Sequence, residues 1–185
     1  MSSRFVVRQA TGSDVDTIIE LREEAERWLA AKGVAQWTSD YSDYARSVLK
    51  QFVDDGSAWV VENHGIVVAT FSLYAQPDED FWAWSEDRHD ALYLSKLIVR
   101  RSHASQGIAD AALNWAATRT RDSGKRWLRI DVRRDNMALQ SYYLARGFCH
   151  LRTWHAPERR TESGWLAQRA AGLVLPAPVS LAHVS

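Results

Sequence analysis

The sequence predicts an α/β fold, and three observations carry that expectation. An apolar strand at Leu92–Val99 runs into a polar turn, Arg100–Ala109, that opens into an alanine-rich helix. A second strand at Trp127–Val132 leads into a second helix closed by Gly147. Two β-branched runs, Ala58–Val61 and Ile66–Phe71, flank Asn63-His64-Gly65. Strands alternating with helices imply helices laid on a sheet. The glycine between the two β-branched runs marks a tight antiparallel hairpin, because it takes the positive φ such a turn needs.

Composition bounds the rest. A chain of 185 residues with 46% hydrophobic residues can bury one sizeable core, so one domain over residues 1–170 is expected, followed by a tail at 171–185. Formal net charge is zero, which argues against a nucleic-acid binder relying on a basic field. Cys149 is the single cysteine, excluding an intrachain disulfide framework and a thiolate-rich zinc site and pointing to a reducing compartment. The histidines have no metal-ligand spacing, so no metal is expected. No apolar run approaches the roughly 20 residues of a membrane span, and Met1-Ser2-Ser3-Arg4 leads into Phe5 without a secretory hydrophobic region. A cytoplasmic protein is the natural expectation.

Taken in order, Arg4–Gln9 reads as a first strand. Ser13 and Asp16 have the spacing of a helix start, a weaker relative of the capping box. Val15, Ile18, Leu21, Ala25, Trp28 and Leu29 recur at helical spacing from about 14 to 31, and Lys32-Gly33 stops that helix. A connector over 34–40 holds Trp37. A second helix follows over about 41–55, with Gly56 as its left-handed cap. After the hairpin, residues 76–91 mix six carboxylates with Phe81, Trp82 and Trp84. That loop reads equally well as part of a functional site or as a solvated acidic loop pinned by its aromatics.

The strand at Leu92–Val99 is apolar on both faces, as a central strand requires. The helix over about 106–123 turns Ile108, Ala112, Trp115 and Ala116 toward the sheet. Strand periodicity at Trp127–Val132 gives way to a helix over about 137–146, and Phe148–Trp154 and Trp165–Gln168 read as the last strands. The tail has no period, so it reads as a loose end or an arm onto a neighbouring subunit.

Chemistry concentrates between Leu92 and Phe148. The first N–H groups of a helix have no partners within it, and its aligned peptide dipoles place roughly half a positive charge there. A small-residue turn at that end is a site for phosphate. The order of strand, Val99, Gly107, Ala109, helix, strand, Asn136, Tyr143 and Gly147-Phe148 resembles the GCN5-related N-acetyltransferase (GNAT) family. Arg101, Ala104 and Ser105 depart from the family pattern, where proline, Arg or Gln, and glycine are common.

The resemblance implies a mixed, mostly antiparallel sheet of about seven strands flanked by helices. It implies an enzyme that moves an acetyl group from acetyl-CoA directly to a primary amine of a small, cationic acceptor, as a monomer or homodimer and without metal. The diphosphate would sit on Ala104, Ser105, Gln106, Gly107, Ile108 and Ala109, and the pantetheine arm along Leu97, Ile98 and Val99 and at Asn136. Tyr143 would be the general acid and also touch the cofactor, since a phenol stays protonated at neutral pH. Candidate bases are Glu79 and Asp80, with Glu86, Asp87 and His89 of the same acidic loop and Asp131 on its strand. Trp37, Trp82, Trp84 and Asp131 are candidate acceptor contacts. Alternatives are the same fold acting on a peptide, protein or aminoacyl-tRNA, and a non-catalytic acyl-CoA-binding module.

Overall fold

The computed structural model describes residues 5–34, 42–157 and 162–184. Eight strands are β1 (Phe5–Gln9), β2 (Ala58–Asn63), β3 (Ile66–Tyr74), β4 (Ala91–Val99), β5 (Trp127–Arg133), β6 (Cys149–Thr153), β7 (Ser163–Ala170) and β8 (Leu181–His183). The helices are α1 (Val15–Ala30), α2 (Ser42–Asp54), α3 (Glu79–Trp82), α4 (Ile108–Asp122) and α5 (Met137–Leu144). The strands form one sheet in the order β6-β7-β5-β4-β3-β2-β1-β8. β1–β2, β2–β3, β5–β7 and β6–β7 pair antiparallel, whereas β4–β5 and β1–β8 pair parallel. The eighth strand exceeds the seven expected because three residues are too few to show a period of two.

Two compact units divide the chain. The first runs to Ser72 and adds Lys96–Ala111 and the residues from Ala177. Its core joins Val15, Ile18 and Leu21 of α1 to Leu49 and Val53 of α2 and to Val60, Val67 and Ile98 of the strands. The first three positions of the helical stripe read from the sequence are thus buried, whereas Ala25 and Leu29 are half-buried and Trp28 is exposed, its ring covered by Arg101 and Lys32. The cap lies elsewhere than expected: Thr11 N–H donates to Asp14 Oδ2 at 2.7 Å, while Asp16 faces out to Arg46 at 2.8 Å. Arg8 decides this by donating to both oxygens of Asp14 at 2.8 and 2.9 Å. Those bonds outweigh burial and bring the Asp14 carboxyl down to about 2. At the hairpin, His64 (φ 50°) and Gly65 (φ 78°) are both left-handed, as a two-residue turn matched to strand twist requires.

The second unit holds Leu73–Ser95 and Ala112–Pro176. Phe81, Trp82, Ala91, Tyr93, Ala156 and Leu166 form its cluster of buried residues. The acidic loop is therefore anchored by its aromatics. It includes α3, four residues capped by Asp78, whose side chain accepts from Asp80 N–H at 3.1 Å. Arg129 is only 2% exposed. It donates to Ser85 Oγ at 3.0 Å, Asp87 Oδ1 at 2.5 Å and Gln168 Oε1 at 3.1 Å, with its guanidinium 4.9 Å from the Trp82 ring centre.

Candidate active site

The turn before α4 belongs to the first unit, and neighbouring elements hold it in shape. Arg100 N–H donates to Val68 O at 2.8 Å, and Arg101 N–H to Glu24 Oε2 of α1 at 2.9 Å. The Arg101 guanidinium lies 3.9 Å from the Trp28 ring centre. A single 3₁₀ turn, Arg101–His103, follows. Ser105 (φ 63°) and Gly107 (φ 80°) are then left-handed. These two residues explain why α4 starts at Ile108 and not at Gln106. Ile108 is buried, while Ala104, Gln106, Gly107 and Ala109 are half-buried and Ser105 is exposed.

Gly107 has a second reason to be glycine. A Cβ there would lie 2.6 Å from Pro178 Cδ, so the tail rests against the turn. Further along, β8 pairs with Phe5–Val7 of β1, and Val184 N–H donates to Val7 O at 3.2 Å. In the second unit, Asn114 of α4 clasps the backbone of Leu175 through both of its amide atoms, at 2.7 and 3.1 Å. Leu173, Leu175, Pro178 and residues 181–184 of the tail thus have partners within the chain.

Within β4, Lys96 is left-handed (φ 55°) without being glycine, a conformation costing about 1–2 kcal/mol. It interrupts the alternation between Ser95 and Leu97. Its ammonium lies 4.5 Å from the Phe52 ring centre. Beyond it, Ile98 is buried and Leu97 and Val99 are half-buried.

In the second unit, Tyr143 of α5 is 8% exposed. Its ring meets those of Phe148 and Tyr142 edge-on, each 5.3 Å away. Burial foremost, then the negative charge of Asp131, pushes its hydroxyl up to about 12 against the opposing charge of Arg146. Tyr142 packs under the Arg146 guanidinium at 3.4 Å. Asn136 caps α5, its Oδ1 accepting from Leu139 N–H at 3.0 Å.

Asp131 lies on β5 opposite Leu166 of β7. The pairing of β5 with β4 covers Ala91–Tyr93 against Trp127–Arg129, whereas its pairing with β7 continues to Arg133. Tyr74, at the end of β3, stacks on Tyr93 at 6.0 Å. Burial and then Asp131 raise its hydroxyl well above the usual phenol range, while Ser95 acts in the opposite sense. Within the second unit the charge of Asp131 thus acts on both Tyr143 and Tyr74; Tyr74 and its neighbour Ser95 are two residues the sequence reading missed. The available signal was the polar pair Ser95-Lys96 inside an apolar strand.

The other candidates have separate settings. Glu79 pairs with Arg88 at 3.3 Å. Trp82 is 1% exposed, and half-exposed Trp84 stacks on it at 6.2 Å and donates from Nε1 to Phe81 O at 2.7 Å. Asp87 is raised by burial, but hydrogen bonds from Ser85 and Arg129 more than offset that and leave its carboxyl low. Trp37 lies outside the described residues. No group of three or more His, Cys, Asp or Glu side chains suited to a metal ion occurs among the described residues. No helix there is long and apolar enough to cross a membrane.

Comparison with known proteins assigns the class. The model of the acetyltransferase (GNAT) family matches residues 18–148. The uncharacterized N-acetyltransferase YesJ of Bacillus subtilis (strain 168) is 28% identical over 146 residues, covering 78% of this chain and 81% of YesJ. Among solved structures, a GNAT-family acetyltransferase from Listeria monocytogenes 4b F2365 superposes with a TM-score of 0.74 at 21% identity, over 92% of this chain and 98% of that one. The PaiA N-acetyltransferase of Thermoplasma acidophilum, solved in complex with coenzyme A, gives 0.67 at 16% identity, over 92% and 99%. The molecule is by class an acyl-CoA-dependent N-acetyltransferase. It belongs to the GNAT family.

Proposed function

We propose that the chain transfers the acetyl group of acetyl-CoA directly to a primary amine of a small, cationic acceptor, with Tyr143 as general acid. What supports the reading most is the position of Tyr143, a phenol 8% exposed at the end of α5 and set edge-on to Phe148, whose ordinary pKa already keeps it protonated at neutral pH. Such a group is fully protonated at neutral pH and can donate to a thiolate as the C–S bond breaks.

The turn Ala104–Ala109 has the character of a diphosphate seat, since Ile108, Ala109 and Asp110 supply the first N–H groups of a fifteen-residue helix. Leu97, Ile98, Val99 and Asn136 would hold the pantetheine arm. The acetyl thioester supplies the electrophile; this chain's residues orient it, supply the proton and exclude water. Asp131 suits the acceptor side better than Glu79, which Arg88 engages, or Asp80, which sits in the first turn of α3.

The test is thiol release from acetyl-CoA across an amine panel, with wild type beside Tyr143→Phe. The expected result is release with alkylammonium acceptors and a fall in turnover of about 10²–10⁴-fold in the variant, with acetyl-CoA binding kept. Binding of acetyl-CoA without release by any amine would leave a non-catalytic acyl-CoA module as the better account.

A further inference from the structure

We propose that Ser95, Tyr74 and Asp131 form the seat of the acceptor's ammonium group, so that the acceptor is an alkylamine protonated at neutral pH. This rests on the reading of the chain as an acetyltransferase of amines and specifies the half of the reaction that reading leaves open.

Register provides the first argument. The parallel pairing of β4 with β5 ends at Tyr93 and Arg129. Strand side chains repeat with a period of two, so Ser95 and Asp131 are the next residues on the faces that carry Tyr93 and Arg129. Those last paired residues are 3% and 2% exposed, whereas Ser95 and Asp131 are only half-buried. The position thus lies at the step from closed core to accessible strand.

Tyr74 ties the groups together. Its ring stacks on Tyr93 at 6.0 Å, and its hydroxyl is acted on by the charge of Asp131 and by the hydrogen-bonding hydroxyl of Ser95. Asp131 acts on Tyr143 as well, so the field of one carboxylate is felt by two phenols.

Ser95 supplies the observation that asks for a ligand. Its Oγ is buried and closes no hydrogen bond of full geometry, although it lies close enough to the Tyr74 hydroxyl to act on it as a hydrogen-bonding neighbour. A buried hydroxyl whose bonding is incomplete is costly to keep, and sites built to hydrogen-bond a substrate carry such groups when empty. An N–H of the acceptor would satisfy it.

The chemistry then balances. The ammonium gives one proton to the Asp131 carboxylate, which later releases it to water. The freed nitrogen lone pair attacks the thioester carbonyl, forming the C–N bond, and the C–S electrons leave on sulfur. Tyr143 protonates that sulfur, and the remaining excess proton on nitrogen restores the phenol. The products are the N-acetylated amine, CoA thiol and one proton.

The experiment measures CoA release with saturating acetyl-CoA, using propylamine and 1,4-diaminobutane as alkylammonium probes and aniline as an amine already neutral at pH 7. Asp131→Asn is expected to lower kcat/KM at least 100-fold for the alkylammonium probes and less than 5-fold for aniline. Ser95→Ala and Tyr74→Phe, as positioning variants, are expected to raise KM for the alkylammonium probes about 5- to 20-fold and leave KM for acetyl-CoA unchanged. Equal losses on both kinds of amine, or a rise in KM for acetyl-CoA, would overturn the proposal. If Tyr143→Phe lowers turnover while all three seat variants behave as wild type, the seat is refuted and the general-acid reading stands. If wild type acetylates no alkylammonium probe, both fall together.

Discussion

Arg129 and Asp131 stand two residues apart on the same strand and belong to the same face, yet they occupy opposite situations. Arg129 is buried and held by Ser85, Asp87 and Gln168, under the Trp82 ring. Asp131 is half-buried and acts on two tyrosines. The difference follows from the neighbouring strand. Where β4 pairs with β5, at Tyr93–Arg129, a charge is admitted only with its full set of partners, because an uncompensated buried charge costs several kcal/mol. Past that pairing a charged residue is left half-buried. One step of two residues separates a locked ion from one at the accessible end of the strand.

The strongest way to break this comparison is Arg129→Ala. It takes one partner from Asp87, which keeps Ser85 and Trp127, and leaves a cavity beside Trp82, so a loss of about 2–5 kcal/mol in urea unfolding is expected. A loss below 1 kcal/mol would show that Arg129 is not the locked charge described.

Asp14 with Arg8 offers a second locked pair for sharpening the contrast. Its folded carboxyl titrates at about 2 against an ordinary 3.8. The depressed value means that stability is fully present above about pH 4 and is lost as the pH falls through 2, about 2 kcal/mol in all. Wild type should therefore exceed Asp14→Asn in stability at pH 7 and lose most of that margin by pH 2. A gap independent of pH would contradict the pairing.

A finer cut is Ser85→Ala, which removes one hydrogen bond to Arg129 and should cost about 1 kcal/mol by thermal or urea unfolding. The smallest effect is expected at the other pole. Asp131→Asn should change unfolding free energy by no more than about 0.5 kcal/mol, so a stability loss like that of Arg129→Ala would erase the distinction.

Much of the first unit could be read directly from residue order. The α1 stripe of Val15, Ile18 and Leu21 is the buried face found, and the His64-Gly65 hairpin is where its glycine placed it. Local chemistry was enough there because pattern and partner lie on the same element. The capping residue was misplaced by two positions because Arg8, on a different element, chooses Asp14. Arg129 reads on its strand as an ordinary alternating polar residue, and nothing local announces its burial beneath Trp82. Ser95 left one local trace, the polar pair it makes with Lys96 inside an apolar strand, but its relation to Tyr74 and Asp131 depends on where one strand stops pairing with another, which no single segment encodes.

The three residues of β8 lie against β1 in parallel, joining Phe5 to Leu181 and Val7 to His183. A chain made from its N-terminus therefore carries the outer edge of β1 bare until Leu181–His183 have been synthesised. During that interval the backbone donors and acceptors of β1 are open to any extended segment nearby. Closing so long a loop is slow relative to local folding, which makes β8 a late cover for that edge against misassembly of nascent chains.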